Sequence, residues 1–172
     1  MVQGVKPVTK RLYFPFGKKQ RNKKMTNTHK ISEIELIYRP SKYSTEKILT
    51  VTQTETLFRS FWNVDAIEYY EEFKVMYLNR ANQVLGIYHH ARGGGVGVYY
   101  DIRMIFQGAL KANACAIIIA HNHPSGNLEP SPEDRVMTNK IKEAGVLLEI
   151  KLLDSIILTS HSYTSFLEKG YL

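Results

Sequence analysis

Two histidines separated by one residue, His121 and His123, directly follow the apolar run from Ala114 to Ala120. The apolar run predicts a buried strand, and side chains at positions i and i+2 of an extended segment share one face. Both imidazoles can therefore reach one cation. Asp134 follows at the start of a predicted helix. Two imidazoles and one carboxylate are a ligand set of catalytic zinc ions that keep a fourth position for water, so the segment predicts a metal hydrolase.

Local structure offers a second explanation for these residues. Ser131, two residues and Asp134, with Pro132 between them, form a typical helix start. Two histidines near a core can likewise be structural residues that bind loop carbonyls. The local and metal-binding roles of Asp134 are compatible, because an acid held in the first helical turn has a fixed direction, which suits a metal ligand.

A hydrolytic zinc site also needs a base that takes a proton from water and delivers it to the leaving amine. Glu71 and Glu72 are the candidates, because they directly precede the predicted strand that begins at Phe73. A solvated acidic pair at a strand entrance is the alternative. Glu129 and Glu133 are nearer in sequence, but Glu133 is better explained as an acid of the helix start.

Hydrophobic periodicity and turn residues predict the elements that position these side chains. The predicted elements are a strand at 34–38, a helix with apolar residues at 57, 58, 61 and 62 capped by Thr54, hairpin strands at 73–78 and 84–88, a helix after Asp101, a buried strand at 114–120, a helix from Ser131 to about Ala144 stopped by Gly145, short strands at 147–153 and 156–159, and a terminal helix at 165–168. This order predicts an α/β or α+β fold with a mixed sheet flanked by helices.

The charge of the chain is concentrated at its N-terminus. Residues 1–30 hold nine Lys or Arg and no acidic residue, within a chain of 172 residues and net charge +7. We expect a basic, disordered extension, which would contact nucleic acid weakly through phosphates or act only as a solubilising segment. A translation start at Met25 would remove eight of the nine charges.

Composition excludes several classes of protein. The longest apolar run is too short to span a membrane, and no signal peptide is visible, so a cytoplasmic location is expected. The single cysteine, Cys115, excludes a disulfide framework and cysteine-rich zinc sites. It also excludes a cytidine-type deaminase, which needs a pair of cysteine ligands. The tripeptide His-Asn-His does not indicate a His-Asn-His endonuclease, whose motif residues are dispersed in sequence.

The complete motif resembles the signature of the JAB/MPN (JAMM) metalloprotease-like family. That signature is a distant Glu, His-x-His, seven residues, Ser, two residues and Asp, and residues 121–134 match its second part throughout. The run Ala-His-Asn-His-Pro-Ser-Gly at 120–126 is similar to the RadC-like branch in particular. The resemblance covers roughly residues 45–172. It implies a deaminase-like α/β fold and a RadC-like JAB/MPN domain at 31–172. Ser155 departs from the histidine that relatives commonly have at this position.

The resemblance also implies roles for the motif residues. It implies three ligands of a Zn²⁺ ion: His121, His123 and Asp134. It assigns the base to Glu71, two residues before the first aromatic of the strand, with Glu72 as the adjacent alternative. Ser131 would stabilise the oxyanion of an attacked amide. The expected activity is therefore that of a zinc-dependent metallopeptidase or isopeptidase acting on a peptide or protein. The alternative is a DNA-associated, non-enzymatic protein with a structural zinc, suggested by residues 1–30.

Overall fold

A computed structural model of the chain describes residues 46–93 and 99–172. The basic extension at 1–30, the predicted strand at 34–38 and most of the glycine-rich segment after Arg92 lie outside these residues. The domain boundary near residue 31 therefore stays a prediction. No helix in the described part of the chain is long and apolar enough to cross a membrane.

The described residues form a five-stranded sheet and three helices. The elements are α1 (Val51–Ser60), β1 (Glu72–Leu78), β2 (Val84–Arg92), α2 (Ile102–Lys111), β3 (Ala116–Asn122), α3 (Pro132–Leu147), β4 (Lys151–Leu158) and β5 (Tyr163–Ser165). The strand order is β2-β1-β3-β4-β5. Only β3 and β4 run parallel, and α3 connects them, whereas the other neighbours are antiparallel. The predicted α/β class, a mixed sheet flanked by helices, is confirmed.

Alternation along the strands gives the sheet two buried faces. One face, here called the α2/α3 face, carries Phe73, Val75 and Ile119 and packs against side chains of α2 and α3. The opposite α1 face packs against α1 and Trp62 and carries alternate residues such as Ile118. This distribution decides which polar residues at the strand ends can meet.

The first helix begins earlier than the sequence predicts. Its N-cap is Thr50, whose side chain accepts a hydrogen bond from the Gln53 backbone N–H, while Gln53 reaches back to the cap. The predicted cap, Thr54, lies inside the helix and is buried. The prediction was wrong because a threonine within a helix can turn its hydroxyl to the carbonyl one turn back, as Thr54 does toward Thr50.

The C-terminal third differs from its prediction in three places. Helix α3 continues past Gly145 to Leu147. The two predicted short strands are one continuous strand, β4, whose pairing with β3 shifts register once. The predicted terminal helix at 165–168 is absent from the described residues, because Ser165 ends β5 and turns follow. There the buried Asp154 carboxylate accepts hydrogen bonds from Ser165 Oγ and the Leu167 N–H, which fixes a turn.

Close packing explains why residue 145 is a glycine. A Cβ atom at this position would lie 2.4 Å from the Ile150 carbonyl oxygen, whereas a Cβ at Gly86 would meet nothing within 4 Å. We expect Gly145→Ala to lower the free energy of unfolding by about 1–3 kcal/mol. Gly86→Ala is the matched control, and we expect it to change stability by less than about 1 kcal/mol. Equal urea-unfolding midpoints for the two variants would contradict the packing explanation.

Candidate metal centre

The end of β3 places the two histidines on the α2/α3 face. His121 has the same side-chain direction as Ile119 and is only 2% exposed. It is paired across the sheet with Phe73, and the two rings stack at 6.4 Å between centroids with an interplanar angle of 12°. His123 follows immediately after the strand. The intervening residue, Asn122, is directed to the opposite side of the strand and is fully buried.

The start of α3 brings Asp134 to these histidines. Ser131 is the N-cap, and its backbone N–H and hydroxyl both donate to Asp134 Oδ2, at 2.8 Å and 2.7 Å. The Asp134 N–H in turn donates to Ser131 Oγ at 3.1 Å. The predicted helix start is therefore confirmed. Its hydrogen bonds fix the carboxylate so that Oδ1 faces His121.

The distances between the three side chains suit a metal ion. The Nε2 atoms of His121 and His123 lie 3.1 Å apart, and they lie 3.1 Å and 3.4 Å from Asp134 Oδ1 and Oδ2 respectively. Tetrahedral ligands at zinc distances of about 2.0–2.1 Å lie about 3.3 Å from one another. The three groups can therefore bind one metal ion.

A backbone carbonyl fixes the tautomer of His123. Its Nδ1 lies 2.7 Å from the Asn127 carbonyl oxygen, which can only accept, so Nδ1–H is the donor. In the neutral ring the lone pair is therefore on Nε2, the nitrogen that faces Asp134 and His121, and this is the tautomer a metal ligand needs. His121 Nδ1 has no hydrogen-bond partner among the described residues.

Hydrogen bonds and charges within the site lower the pKa of Asp134 and raise the pKa of His123 when no metal is bound. Burial tends to raise the pKa of Asp134, but hydrogen bonds with His121 and His123 hold it well below its usual range. Burial tends to lower the pKa of His123, but hydrogen bonds to Asp134 and the Asn127 carbonyl, together with the charges of Asp134 and Glu71, raise it above its ordinary value.

Metal affinity should therefore depend on pH. A proton on His123 must leave before Nε2 can bind a cation. Because the pKa of His123 is raised, we expect metal affinity to keep increasing as pH rises beyond the ordinary histidine value of about 6.5. Affinity should level off only above the raised pKa of His123. Competition with a chromophoric chelator between about pH 5 and pH 9 measures this dependence. The same affinity at both ends of the range would contradict the assignment of His123 as a ligand.

The two candidate bases lie on different faces of the sheet. Glu71 precedes β1 by one residue and has the side-chain direction of Phe73, and it lines a cavity of about 720 Å³ with the three candidate ligands. Glu72 is directed to the α1 face, where it forms an ion pair with Lys74 Nζ at 2.6 Å. Lys74 is 1% exposed and lies over the Trp62 ring at 4.1 Å. The geometry therefore brings Glu71, and not Glu72, to the candidate metal centre.

The lining of this cavity is acidic and aromatic. Its described lining includes four carboxylates, Glu71, Glu129, Glu133 and Asp134, and no Lys or Arg. Tyr99 and Tyr100, which lie outside the predicted motif, also line it. Their signal in the sequence is an aromatic pair between a glycine-rich segment and a helix cap. Ser131 lies in the same lining. Ser155 does not, because it is buried and its hydroxyl accepts a hydrogen bond from Thr138 Oγ1.

Comparison with known proteins agrees with the motif. The family model of the RadC-like JAB domain matches residues 49–171. A UPF0758 protein of Flavobacterium johnsoniae is 35% identical over 140 residues, which cover 81% of this chain and 61% of that protein. UPF0758 proteins of Symbiobacterium thermophilum and Salinibacter ruber are 39% and 41% identical over 102 and 100 residues, or 59% and 58% of this chain.

These alignments span less than two thirds of each relative, namely 61%, 44% and 43% of their lengths. The family match nevertheless includes both histidines, Asp134, Glu71 and the whole described sheet. The resemblance derived from the motif is thus confirmed, and the chain belongs to the RadC-like JAB domain family.

Proposed function

We propose that this protein is a zinc-dependent hydrolase of metallopeptidase or isopeptidase type. The observation that supports this most directly is the convergence of two imidazole nitrogens and one carboxylate within 3.1–3.4 Å. Imidazole and carboxylate ligands suit zinc. A set of three protein ligands leaves one coordination position open, which is typical of a catalytic zinc.

The proposed chemistry divides between the ion and the chain. A bound zinc ion would polarise the amide carbonyl and lower the pKa of water. Glu71 would take the proton of the attacking water and deliver it to the leaving amine. Ser131 would donate to the oxygen on which negative charge develops. Because the single hydroxyl proton of Ser131 is directed at Asp134 Oδ2, that role needs the hydroxyl to rotate.

The charge of the cavity supports an amide substrate over a nucleic acid. Four carboxylates, and no Lys or Arg, are among its described lining residues. A phosphodiester backbone carries a high density of negative charge and is usually bound by basic side chains. A peptide carries no such obligatory charge. We therefore propose a peptide or protein substrate.

The test is hydrolysis by the purified full chain loaded with one equivalent of zinc. The substrates are a mixed peptide library and isopeptide-linked peptides, and mass spectrometry reads the products. We expect cleavage that 1,10-phenanthroline abolishes and that added zinc restores. Cleavage that continues in the metal-free protein, or in an Asp134→Ala variant, would contradict the proposal.

The second candidate, a DNA-associated protein with a structural zinc, is favoured by the nine basic residues at 1–30. It predicts DNA binding that weakens steeply with salt and is lost when residues 1–30 are deleted. The three-ligand set argues against it, because structural zinc sites almost always have four protein ligands. A fourth His, Cys, Asp or Glu is absent from this cluster in the described residues.

A further inference from the structure

The residue between the two histidines has all of its hydrogen-bonding groups engaged. Asn122 is 0% exposed. Its Oδ1 accepts from the Glu72 backbone N–H at 2.7 Å and from Trp62 Nε1 at 3.2 Å. Its Nδ2 donates to the carbonyl oxygens of Ile67 at 2.7 Å and Tyr70 at 2.8 Å. A side-chain amide has two donor hydrogens and two acceptor sites, so this network fixes the orientation of the amide.

Two of these four bonds hold the peptide groups on either side of Glu71. The Tyr70 carbonyl belongs to the peptide group before the Glu71 Cα atom, and the Glu72 N–H belongs to the one after it. The latter peptide group is also held at its other end, because the Glu71 carbonyl accepts from the Gly93 N–H at 2.8 Å. These bonds restrain both backbone dihedral angles of Glu71, and hence the direction of its side chain.

The segment that carries Glu71 has little regular structure of its own. Residues 61–71 connect α1 to β1 through turns. Their backbone hydrogen bonds to one another, such as Ala66 N–H to the Asn63 carbonyl, are local. Asn122 connects this segment directly to the end of β3, which carries His121 and is followed at once by His123. The Asn122 side chain, on the opposite face of β3, therefore links this strand to the backbone that carries Glu71, whose side chain lines the same cavity as the candidate ligands.

We propose that Asn122 is a positioning residue, which sets the direction of the Glu71 carboxylate relative to the metal ligands. The inference rests on the proposed function, in which Glu71 is the base. Catalysis is sensitive to such placement, since a shift of about 1 Å can cost about 100-fold in rate. A residue that only stabilised the fold would not act through Glu71.

A double-mutant cycle separates these roles. In the zinc-loaded full chain, we expect Asn122→Ala to lower kcat by about 10- to 100-fold, with KM nearly unchanged and zinc retained. In a Glu71→Gln background, we expect the same substitution to lower kcat by less than about 2-fold, because the group it positions is already gone. Equal losses in both backgrounds, or loss of zinc from the single variant, would overturn the proposal.

Two further variants control for folding. Trp62→Phe removes one hydrogen bond to Asn122 Oδ1 but keeps both bonds that flank Glu71, so we expect kcat close to wild type. A loss in Trp62→Phe as large as in Asn122→Ala would contradict the proposal. If Asn122→Ala does not fold, Asn122→Ser replaces it in the cycle with the same expected results.

A measurement that does not depend on substrate hydrolysis separates failure of this inference from failure of the proposed function. Cobalt-loaded protein gives a visible absorption band whose pH profile reports the surroundings of the metal. We expect Glu71→Gln and Asn122→Ala to shift the midpoint of that profile in the same direction, and the double variant to match Glu71→Gln alone. Independent, additive shifts would overturn the positioning role, even if the wild-type protein hydrolyses no amide.

Discussion

The Asp134→Ala variant is expected to lose its metal ion, whereas Ser131→Ala is expected to keep it. Asp134 supplies a carboxylate oxygen 3.1 Å from His121 Nε2 and another 3.4 Å from His123 Nε2. Loss of an outer-shell partner already costs about 10- to 100-fold in metal affinity, so loss of a ligand should cost more than about 100-fold. Plasma mass spectrometry after dialysis, together with chelator competition, measures the effect.

Ser131→Ala is the matched control because both residues belong to the same capping box. Each substitution removes capping hydrogen bonds and should lower the stability of the metal-free protein by about 1 kcal/mol. Only Asp134→Ala also removes a ligand. Retention of a full equivalent of zinc by Asp134→Ala would contradict the metal assignment. Equal zinc loss from both variants would mean that the helix start, and not the carboxylate, determines metal binding.

The second large effect concerns the adjacent glutamates, for which we expect opposite phenotypes. Glu71→Gln should retain zinc and lose about 10²- to 10⁴-fold in kcat, the usual contribution of general acid–base catalysis. Glu72→Gln should retain turnover but lower the free energy of unfolding by up to about 3 kcal/mol, because the buried Lys74 ammonium loses its ionic partner. Steady-state kinetics and urea unfolding of both variants measure the two quantities.

The reverse pattern would contradict the assignment of Glu71 and Glu72 to opposite faces of the sheet. If Glu72→Gln lost turnover and Glu71→Gln retained it, the base would be the residue that pairs with Lys74 in this structure. If neither substitution changed turnover, the proton would be carried by another group of the cavity. Zinc content, measured for both variants, excludes loss of the metal as the cause.

The ligand set could be predicted from the sequence because its geometry is local. His121 and His123 share a face in any extended segment, and Ser131 and Asp134 form a helix start in any context. The buried strand before them was likewise evident from its apolar run. These patterns do not depend on distant parts of the chain.

Features that depend on tertiary contacts could not be predicted in this way. The choice between Glu71 and Glu72 follows from the pairing of Phe73 with His121, which decides the face that each glutamate occupies. The carbonyl of Asn127 that fixes the His123 tautomer is a backbone group and leaves no sequence pattern. The sequence pattern predicts a helix stop at Gly145, whereas the structure needs a glycine there because the Ile150 carbonyl leaves no room for a side chain.

The most direct test of the central claim is anomalous diffraction at the zinc absorption edge from crystals of the zinc-loaded full chain. The proposal predicts one peak within about 2.0–2.2 Å of His121 Nε2, His123 Nε2 and the Asp134 carboxylate, with Glu71 facing the open coordination position. A peak bound by other residues, or no peak at the two histidines, would contradict it.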